Sequence, residues 1–403
     1  MIYAIPFIKL VGVFALMILL LRLKVDIGVV ILSGAAAMGL LWGMTPLHLL
    51  NVSLRASVEF ASIRLLLIVI FLRLLSGVMA QSGALQRIEN ASRMIFRDIR
   101  WALAAIPALI GLMPMPAGAL VSAPMIEPVA DRLKLTPTDR TLVNYWFRHI
   151  WEYAWPMYQA IIIAAAMISV PVKAIVLRQA ILSVVMAAIG YFFILRKFPS
   201  ERTPDFAPGK GFRELLIATY PIIVILLLSI IGSLDLMYGS MVAFVAAIIP
   251  YLKRLNYREL LKKGIPPKIV VLILSVMIFK KVLKVSGAVE TLPETVTMLN
   301  LPAIVAVIVT PFVVGILTGI SFAFVGIAFP LILTLITGNW VNFIVAYLAG
   351  FAGVLLSPVH LCLVLSTDYY GASLKQVYNR LVFPVFLTFG IGLIYAIAFG
   401  RFF

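Results

Sequence analysis

Long runs of apolar residues, separated by short polar segments, dominate the hydrophobicity pattern of this chain. Pro156 and Pro358 lie near the middle of two of the runs, which predicts that these two helices are broken there. Ten runs are long enough to cross the roughly 30 Å apolar core of a bilayer as helices: residues 3–22, 27–44, 61–80, 142–170, 172–195, 213–232, 238–252, 269–287, 342–367 and 381–402. The pattern predicts an all-α membrane protein with about ten transmembrane helices.

Two further apolar regions, 101–133 and 301–336, are interrupted near their centres. In the first, Pro114, Pro116 and Gly118 interrupt the helix, because proline removes an amide donor and clashes with the preceding turn. Each flank is about half a crossing long. We expect two re-entrant hairpins, which a membrane tolerates where protein or a water-filled cavity surrounds the irregular backbone. A single proline-kinked helix is the alternative for the first region.

The composition and the basic residues support this interpretation. The chain is 63% hydrophobic and 12% charged, whereas soluble domains are roughly 45–50% apolar and about 25% charged. With the N-terminus outside, the cytoplasmic segments hold 22 Lys and Arg and the external ones 3, as the positive-inside rule requires. A single crossing of 101–133 would place Arg132, Lys134 and Arg140 outside. We predict a multi-pass protein of the inner (cytoplasmic) membrane, with both termini outside and no nucleic-acid partner.

The sequence repeats itself at an offset of 204 and then 202 residues. The matching residues are Ser82-Gly83-Ala84 with Ser286-Gly287-Ala288, Pro107 with Pro311, Gly111 with Gly315, Pro128 with Pro330, Pro156 with Pro358, and Arg178 with Arg380. The domains expected from this are repeat 1–195 with the cytoplasm-facing hairpin 101–133, linker 196–212, and repeat 213–403 with the outward-facing hairpin 301–336. Each repeat would cross five times, so the two repeats must be inverted relative to each other.

Candidate solute-binding residues lie at the hairpin tips and the broken helices, where half-helices expose amides and carbonyls. They are Pro116, Ala117, Gly118, Ser122, Thr318, Gly319, Ser321, Ser357 and His360. Exposed carbonyls and hydroxyls there could also hold Na⁺. The alternative is that the hydroxyls only cap helix ends, and that His360 only packs.

Glu152 is the one acidic residue that the pattern places deep in a predicted span. A carboxylate inside a membrane is costly to desolvate, so its presence there indicates a function. We therefore assign ion coupling to Glu152, Tyr153 and Tyr158. The alternative for Glu152 is a structural ion pair with Arg148, four residues earlier. Arg73, about the middle of its span, is a candidate counter-charge for an anion.

Other chemistries find little support. A single cysteine, Cys362, excludes an intrachain disulfide framework and a thiolate-rich metal site. His149 and Glu152 alone are a thin basis for a metal centre, and the chain has no Gly-rich phosphate loop and no Gly-x-Ser-x-Gly motif. We therefore expect no enzyme activity and no cofactor beyond H⁺ or Na⁺ as a coupling ion.

Three segments resemble an uncharacterised prokaryotic membrane family of unknown function. They are 113–125 (Met-Pro-Met-Pro-Ala-Gly-Ala-Leu-Val-Ser-Ala-Pro-Met), 148–156 (Arg-His-Ile-Trp-Glu-Tyr-Ala-Trp-Pro) and 355–365 (Leu-Leu-Ser-Pro-Val-His-Leu-Cys-Leu-Val-Leu). That family is similar in architecture to the ion transporter superfamily, which includes gluconate permeases and dicarboxylate symporters. The resemblance implies a homodimer with a scaffold domain and a moving transport domain whose hairpin tips form the solute site.

These observations predict a secondary active transporter in the lipid bilayer, carrying a small anionic solute, such as an organic acid, with H⁺ or Na⁺. An elevator-type movement of the hairpin site would provide alternating access. A cation/proton antiporter that uses Glu152 as its ion carrier is the first alternative. The second is an intramembrane enzyme that uses Glu152 with His149 or His360; the inverted repeat argues against it, because hydrolysis does not need that symmetry.

Overall fold

A computed structural model of the protein describes residues 4–113, 115, 118–288 and 302–400. Within these residues every regular element is a helix, so the predicted all-α class is confirmed. The N-terminal half contains α1 Ala4–Arg22, α2 Ile27–Leu41, α3 Pro46–Val58, α4 Phe60–Gln81, α5 Ala84–Ile95, α6 Ile99–Gly111, α7 Gly118–Arg132, α8 Pro137–Arg148, α9 Gln159–Ile168 and α10 Val172–Gly190, which continues as a π-helix through Tyr191–Leu195.

The C-terminal half has a similar succession of long and short helices. It contains α11 Pro208–Ile225 with a π-helical end Leu226–Ile231, α12 Leu236–Ile248 with a 3₁₀ turn Ile249–Tyr251, α13 Tyr257–Gly264, α14 Pro267–Ser286, α15 Ala303–Thr318, α16 Ser321–Leu331, α17 Leu333–Ile336, α18 Trp340–Leu355, α19 Leu361–Tyr370 and α20 Leu374–Phe399. Residues 289–301 lie outside the described part of the chain.

Among the described residues, four helices are long and apolar enough to cross a membrane: Phe60–Gln81, Val172–Leu195, Pro208–Ile231 and Leu374–Phe399. Large apolar side chains on their surfaces are exposed, including Leu177, Leu227 and Ile394. Soluble monomers rarely expose contiguous apolar patches of this kind, whereas lipid accommodates them. The helices therefore indicate a membrane protein, and the expected count of ten crossings remains a prediction.

The breaks predicted at the two prolines are present. The run 142–170 forms α8 and α9, and the run 342–367 forms α18 and α19, with Pro156 and Pro358 in the segments between the helices. In the regions 101–133 and 301–336, α6 contacts α7 and α15 contacts α16, as the two limbs of a hairpin do.

The sequence pattern missed two short helices and misplaced one helix start. The helices α3 and α13 lie in segments that we expected to be loops, and Thr45 and Asn256 cap their N-termini with side-chain oxygens. Helix α11 begins at Pro208, inside the linker that we expected to be irregular, because proline is well suited to the first position of a helix.

The buried core of the protein includes side chains of both long and short helices, and many of its largest side chains come from the short helices beside the breaks. Its largest fully buried side chains are aromatic and include Tyr145, Trp146, Tyr153, Phe324, Phe329, Phe343, Tyr347 and Phe351. These side chains come from α8, α16, α18 and the segment after α8. The polar breaks in the helices therefore lie inside the best-packed part of the molecule.

Candidate functional site

The described residues form four pairs of half-helices, and the breaks within these pairs lie near one another. The pairs are α6 with α7, α8 with α9, α15 with α16, and α18 with α19. Within the halves of the chain, α6 contacts α8 and α15 contacts α18. Between the halves, α9 contacts α16 and α7 contacts α19. Within the four pairs, the first helix ends and the second begins at Gly111 and Gly118, at Arg148 and Gln159, at Thr318 and Ser321, and at Leu355 and Leu361. This arrangement places the predicted hairpin tips beside the predicted broken helices.

Glu152 lies in the second of these breaks and is only 7% exposed. The hydroxyl of Ser321 donates a 2.6 Å hydrogen bond to Glu152 Oε2, and the Tyr347 hydroxyl donates to the Glu152 carbonyl oxygen at 2.9 Å. Ser321 is the first residue of α16, at the second hairpin tip. The carboxylate of one half is therefore held by the hairpin of the other.

Arg148 is the last residue of α8 and is 4% exposed. Its Nη2 donates to the Met115 carbonyl oxygen at 3.3 Å, and its Nη1 has no hydrogen-bond partner among the described residues. The guanidinium lies directly against Gly118, where an added Cβ would collide with it. The ion pairs of the described residues do not include Arg148 with Glu152, because the chain leaves the helix after Arg148 and the two residues no longer share a helical face.

The carbonyl ends of the broken helices are satisfied by side-chain donors. The bonds run from Tyr158 Oη to the Gly111 oxygen (2.7 Å), from Trp155 Nε1 to the Leu112 oxygen (2.8 Å), from Ser357 Oγ to the Ile316 oxygen (2.7 Å) and from Tyr145 Oη to the Leu355 oxygen (2.9 Å). By contrast, the residues that precede α9, α16 and α19 make no side-chain capping bond. Helix N-termini attract negative charge, so the free polarity at this centre is positive.

Two histidines and the single cysteine form a buried cluster beside Glu152. His149 Nε2 and His360 Nε2 are 3.1 Å apart, and the ligand atoms of His149, His360 and Cys362 all lie within 4.8 Å of one another. His149 Nδ1 faces the Tyr145 carbonyl oxygen at 2.6 Å, and His360 Nδ1 faces the Val354 carbonyl oxygen at 3.2 Å. These three side chains are the group among the described residues that could hold a metal ion.

The remaining tip residues are also buried or closely packed. Gly319 has a left-handed φ of 62°, and an added Cβ would come within 2.7 Å of the His360 backbone. The hydroxyl of Ser357 packs against Gly319 as well, and Thr318 Oγ1 donates to a carbonyl oxygen within its own helix. Pro116 and Ala117, which we assigned to the solute site, lie outside the described residues.

Ser122 is fully buried and belongs to a polar network below the tip. Its hydroxyl donates to Asn144 Oδ1 at 2.6 Å, and Asn144 Nδ2 donates to Ser366 Oγ at 2.9 Å and to the Ala119 oxygen at 3.0 Å. The network connects α7, α8 and α19. The Ser122 hydroxyl is therefore committed to holding these helices together.

The structure does not bring Arg73 to this centre. Its Nη2 donates to the Lys263 carbonyl oxygen at 2.8 Å and its Nε to the Gly264 oxygen at 3.3 Å, at the end of α13. Of the coupling residues, Tyr158 bonds the Gly111 oxygen, whereas the Tyr153 ring packs edge-on against Phe351 with centroids 4.9 Å apart. Arg148 therefore occupies the position that we had expected of Arg73.

Sequence reasoning missed Cys362, Asn144 and Tyr347. Cys362 follows His360 by two residues in the same broken helix, and this spacing was the only available signal. Asn144 and Tyr347 look like ordinary core residues in the sequence, since their partners come from distant segments.

The fold and the site define a class: an all-helical protein with four membrane-length apolar helices and with broken half-helices around a buried polar centre. Residues 7–399 match the family described as "Protein of unknown function (DUF401)", and the chain belongs to that family. The expected uncharacterised family is thereby confirmed, and the kinship with the ion transporter superfamily stays a prediction. None of the curated proteins compared with the chain matches it.

Proposed function

We propose that the protein is a secondary active transporter that moves a small anionic, organic-acid-like solute together with H⁺ or Na⁺ by alternating access. The observation that carries this proposal is a reciprocal pair of contacts between the halves. Arg64 bonds Asp235, the N-cap of α12, and Lys268 lies 3.4 Å from Asp26, the N-cap of α2. Arg64 and Lys268 are separated by 204 residues, the repeat offset found in the sequence.

Further contacts repeat in the same way. A Cβ on Gly111 would strike the carbonyl oxygen of Arg148, and a Cβ on Gly315 would strike that of Gly350. Here the two glycines are 204 residues apart and their partners 202, and α10 and α20 begin 202 residues apart, at Val172 and Leu374. Reciprocal contacts of this kind are the signature of a pseudo-two-fold axis between two repeats.

In a protein with two repeats of five crossings each, related by such an axis in the membrane plane, the repeats can exchange conformations. The binding site then opens first to one side of the membrane and then to the other. In this proposal the half-helices around Glu152 form the moving transport unit, and long helices such as α4 and α11 form the scaffold. The half-helix limbs are the two re-entrant hairpins, and both termini lie outside the cell membrane. A homodimer through the exposed apolar faces completes the arrangement.

An anionic solute is supported by the positive polarity of the centre. Arg148 brings a buried guanidinium to the first tip, and the helices α9, α16 and α19 begin at the breaks without a side-chain capping bond. A planar guanidinium is well matched to a carboxylate. The solute would bind beside Gly118 and Gly319, where the Arg148 guanidinium and the Ser357 hydroxyl lie against the tips.

Coupling is supported by the bond between Glu152 and Ser321. Protonation of the carboxylate, or binding of Na⁺ by the carboxylate and the hydroxyl, would cancel the charge that otherwise repels an anion from this centre. The solute and the coupling ion would then bind together, as a symporter requires.

The test is uptake into liposomes that contain the purified protein. Labelled mono- and dicarboxylates are screened with an inward Na⁺ gradient, an inward H⁺ gradient, or neither. Uptake that depends on one gradient, and that Glu152→Gln abolishes, is the expected result. Gradient-driven movement of H⁺ or Na⁺ without any organic solute would instead support the cation/proton antiporter, which the buried Glu152 carboxylate also favours.

A further inference from the structure

The two buried histidines face each other with their acceptor nitrogens. Each Nδ1 lies opposite a backbone carbonyl oxygen, that of Tyr145 for His149 and that of Val354 for His360. A carbonyl only accepts hydrogen bonds, so each Nδ1 must carry the ring proton to be satisfied. In two neutral rings this leaves both Nε2 lone pairs pointing at one another across 3.1 Å.

Such a pair of acceptors needs a cation between them. A metal ion would satisfy both, and metal-bound histidines characteristically donate the other ring N–H to a carbonyl. The third side chain is the thiol of Cys362, whose sulfur lies within 4.8 Å of a ring nitrogen of each histidine. Imidazole and thiolate together are the ligand set of Zn²⁺ and of related thiophilic ions.

We propose that His149 Nε2, His360 Nε2 and Cys362 Sγ form a binding site for a thiophilic transition-metal ion of the Zn²⁺ type. At a metal–nitrogen distance of about 2.0–2.1 Å, the 3.1 Å separation of the two nitrogens corresponds to an N–metal–N angle of about 100°, close to tetrahedral. Coordination converts the Cys362 thiol to a thiolate and releases one proton to solvent for each ion bound. The fourth position is left for water or for an oxygen of a solute.

The surroundings suit such a site. The three ligands are 3%, 5% and 9% exposed, and aromatic packing by Tyr145 fixes both rings, with centroids 4.8 Å and 5.3 Å away. Next to His360, the side chains of Val359 and Leu361 are exposed. The ligands come from both halves of the chain, and a bound ion would tie the two broken helices together.

This inference does not rest on transport, and it is tested by metal binding alone. The full-length protein is purified without a polyhistidine tag, stripped with a chelator and titrated with Co²⁺ as a spectroscopic substitute for Zn²⁺. We expect one Co²⁺ per chain, visible ligand-field bands of tetrahedral strength and a thiolate-to-cobalt charge-transfer band. Zn²⁺ should displace the Co²⁺ and remove these bands.

Variants then assign the ligands. Cys362→Ser should lose the charge-transfer band, and His149→Gln and His360→Gln should each weaken binding by at least about 100-fold, since even second-shell changes cost about 10–100-fold. His48→Gln is the matched control, because His48 is the remaining histidine and lies exposed on α3; it should bind like wild type. No saturable Co²⁺ binding by wild type would overturn the proposal, and so would a charge-transfer band that survives in Cys362→Ser.

Discussion

The Ser321 hydroxyl donates its 2.6 Å hydrogen bond to Glu152 across 169 residues of sequence. This bond joins the tip of the second hairpin to the break in the first repeat. A carboxylate holds a hydroxyl more strongly when it is ionised than when it is protonated. The charge state of Glu152 is therefore expected to decide how firmly this tip is held.

Glu152→Gln should abolish gradient-driven uptake while leaving the protein folded, since glutamine keeps an acceptor for Ser321 but cannot bind a proton or Na⁺. Ser321→Ala should weaken coupling less, because the carboxylate remains. Uptake of labelled solute into liposomes measures both variants, and size-exclusion chromatography checks the fold.

Glu214→Gln is the matched control for that experiment. Glu214 forms an ion pair with Arg87 near the surface, and exposed pairs contribute about 0–1 kcal/mol to stability. Solute uptake by the Glu214→Gln variant should therefore match that of wild type. Glu152→Gln with an unchanged pH profile of transport would show that the carboxylate is structural.

The pseudo-symmetric glycines give a second prediction. Gly111→Ala and Gly315→Ala should both destabilise the protein, because each new Cβ meets a backbone carbonyl that cannot move away. Overpacking of this kind costs about 1–3 kcal/mol. Thermal unfolding in detergent should show similar losses for the two variants, since the repeat places them in equivalent contacts.

Gly390→Ala provides the control, because nothing lies within 4 Å of its Cβ position in the middle of α20. Alanine is favoured over glycine inside a helix by about 1 kcal/mol, so this variant should be as stable as wild type or more so. Equal stability of Gly315→Ala and Gly390→Ala would contradict the close packing of α15 on α18.

The sequence pattern was sufficient for the features that depend on local chemistry. Apolar runs and prolines predicted the helices, the breaks at Pro156 and Pro358, and Glu152 as a buried carboxylate. The pairing of His149 with His360 was not predictable, because the two residues are 211 positions apart and meet only through tertiary packing.

The assignment of Arg73 shows a different limit. Hydrophobicity places a cation at a depth along its own helix, but it cannot say which neighbour supplies acceptors. In the fold, the end of α13 offers the Lys263 and Gly264 carbonyls to Arg73. The short helix α13 was itself missed, since eight residues in a basic segment do not form an apolar run long enough to span a membrane.

Asp139 provides a prediction on pH dependence. Burial alone would raise its pKa, but hydrogen bonds from Lys197, Thr136 and Arg380 outweigh this and lower the pKa to about 2. A carboxyl whose pKa is lower in the folded state stabilises the protein above its unfolded pKa of about 3.9. That contribution should be complete at neutral pH and disappear as the pH falls from about 4 towards 2.

Asp139→Asn should therefore lower the melting temperature at pH 7, and the difference from wild type should shrink below pH of about 4. Asp131→Asn is the control from the same region, because the Asp131 side chain is 67% exposed although it pairs with Arg140; it should change little. If the difference in melting temperature between Asp139→Asn and wild type stays constant down to pH of about 2, the hydrogen bonds of Asp139 do not depend on its ionisation.

The proposed topology predicts which sites face outward. In a Cys362→Ser background, single cysteines replace Lys134, Asp205, Leu234 and Thr337, all of which have exposed side chains. Membrane-impermeant thiol reagents added to intact cells should label positions 234 and 337 and leave 134 and 205 unlabelled until the membrane is opened. Labelling at 134 from outside would mean that α6 and α7 cross the membrane, and the inverted repeat would be excluded.

The two tip glycines should respond differently to a methyl group, although the repeat places both at hairpin tips. Gly319 has φ of 62° and faces the backbone of His360, so Gly319→Ala combines a left-handed backbone cost of about 1–2 kcal/mol with overpacking of about 1–3 kcal/mol. Thermal unfolding of Gly319→Ala in detergent should therefore show a large loss of stability. Gly338→Ala, with φ of 73° and nothing within 4 Å of the new Cβ, isolates the backbone cost and should lose less.

At Gly118 the obstructing group is the end of the Arg148 side chain, which can rotate away. Gly118→Ala should therefore fold with little loss of stability and move the guanidinium from its place. A hydrogen bond to a charged group is worth about 1.5–3 kcal/mol, so solute affinity should fall by roughly 10- to 100-fold. Solute-dependent thermal stabilisation of the purified protein measures this loss, with Gly390→Ala as the control. If Gly118→Ala binds the transported solute as wild type does, Arg148 is not its counter-charge and the anion site lies elsewhere.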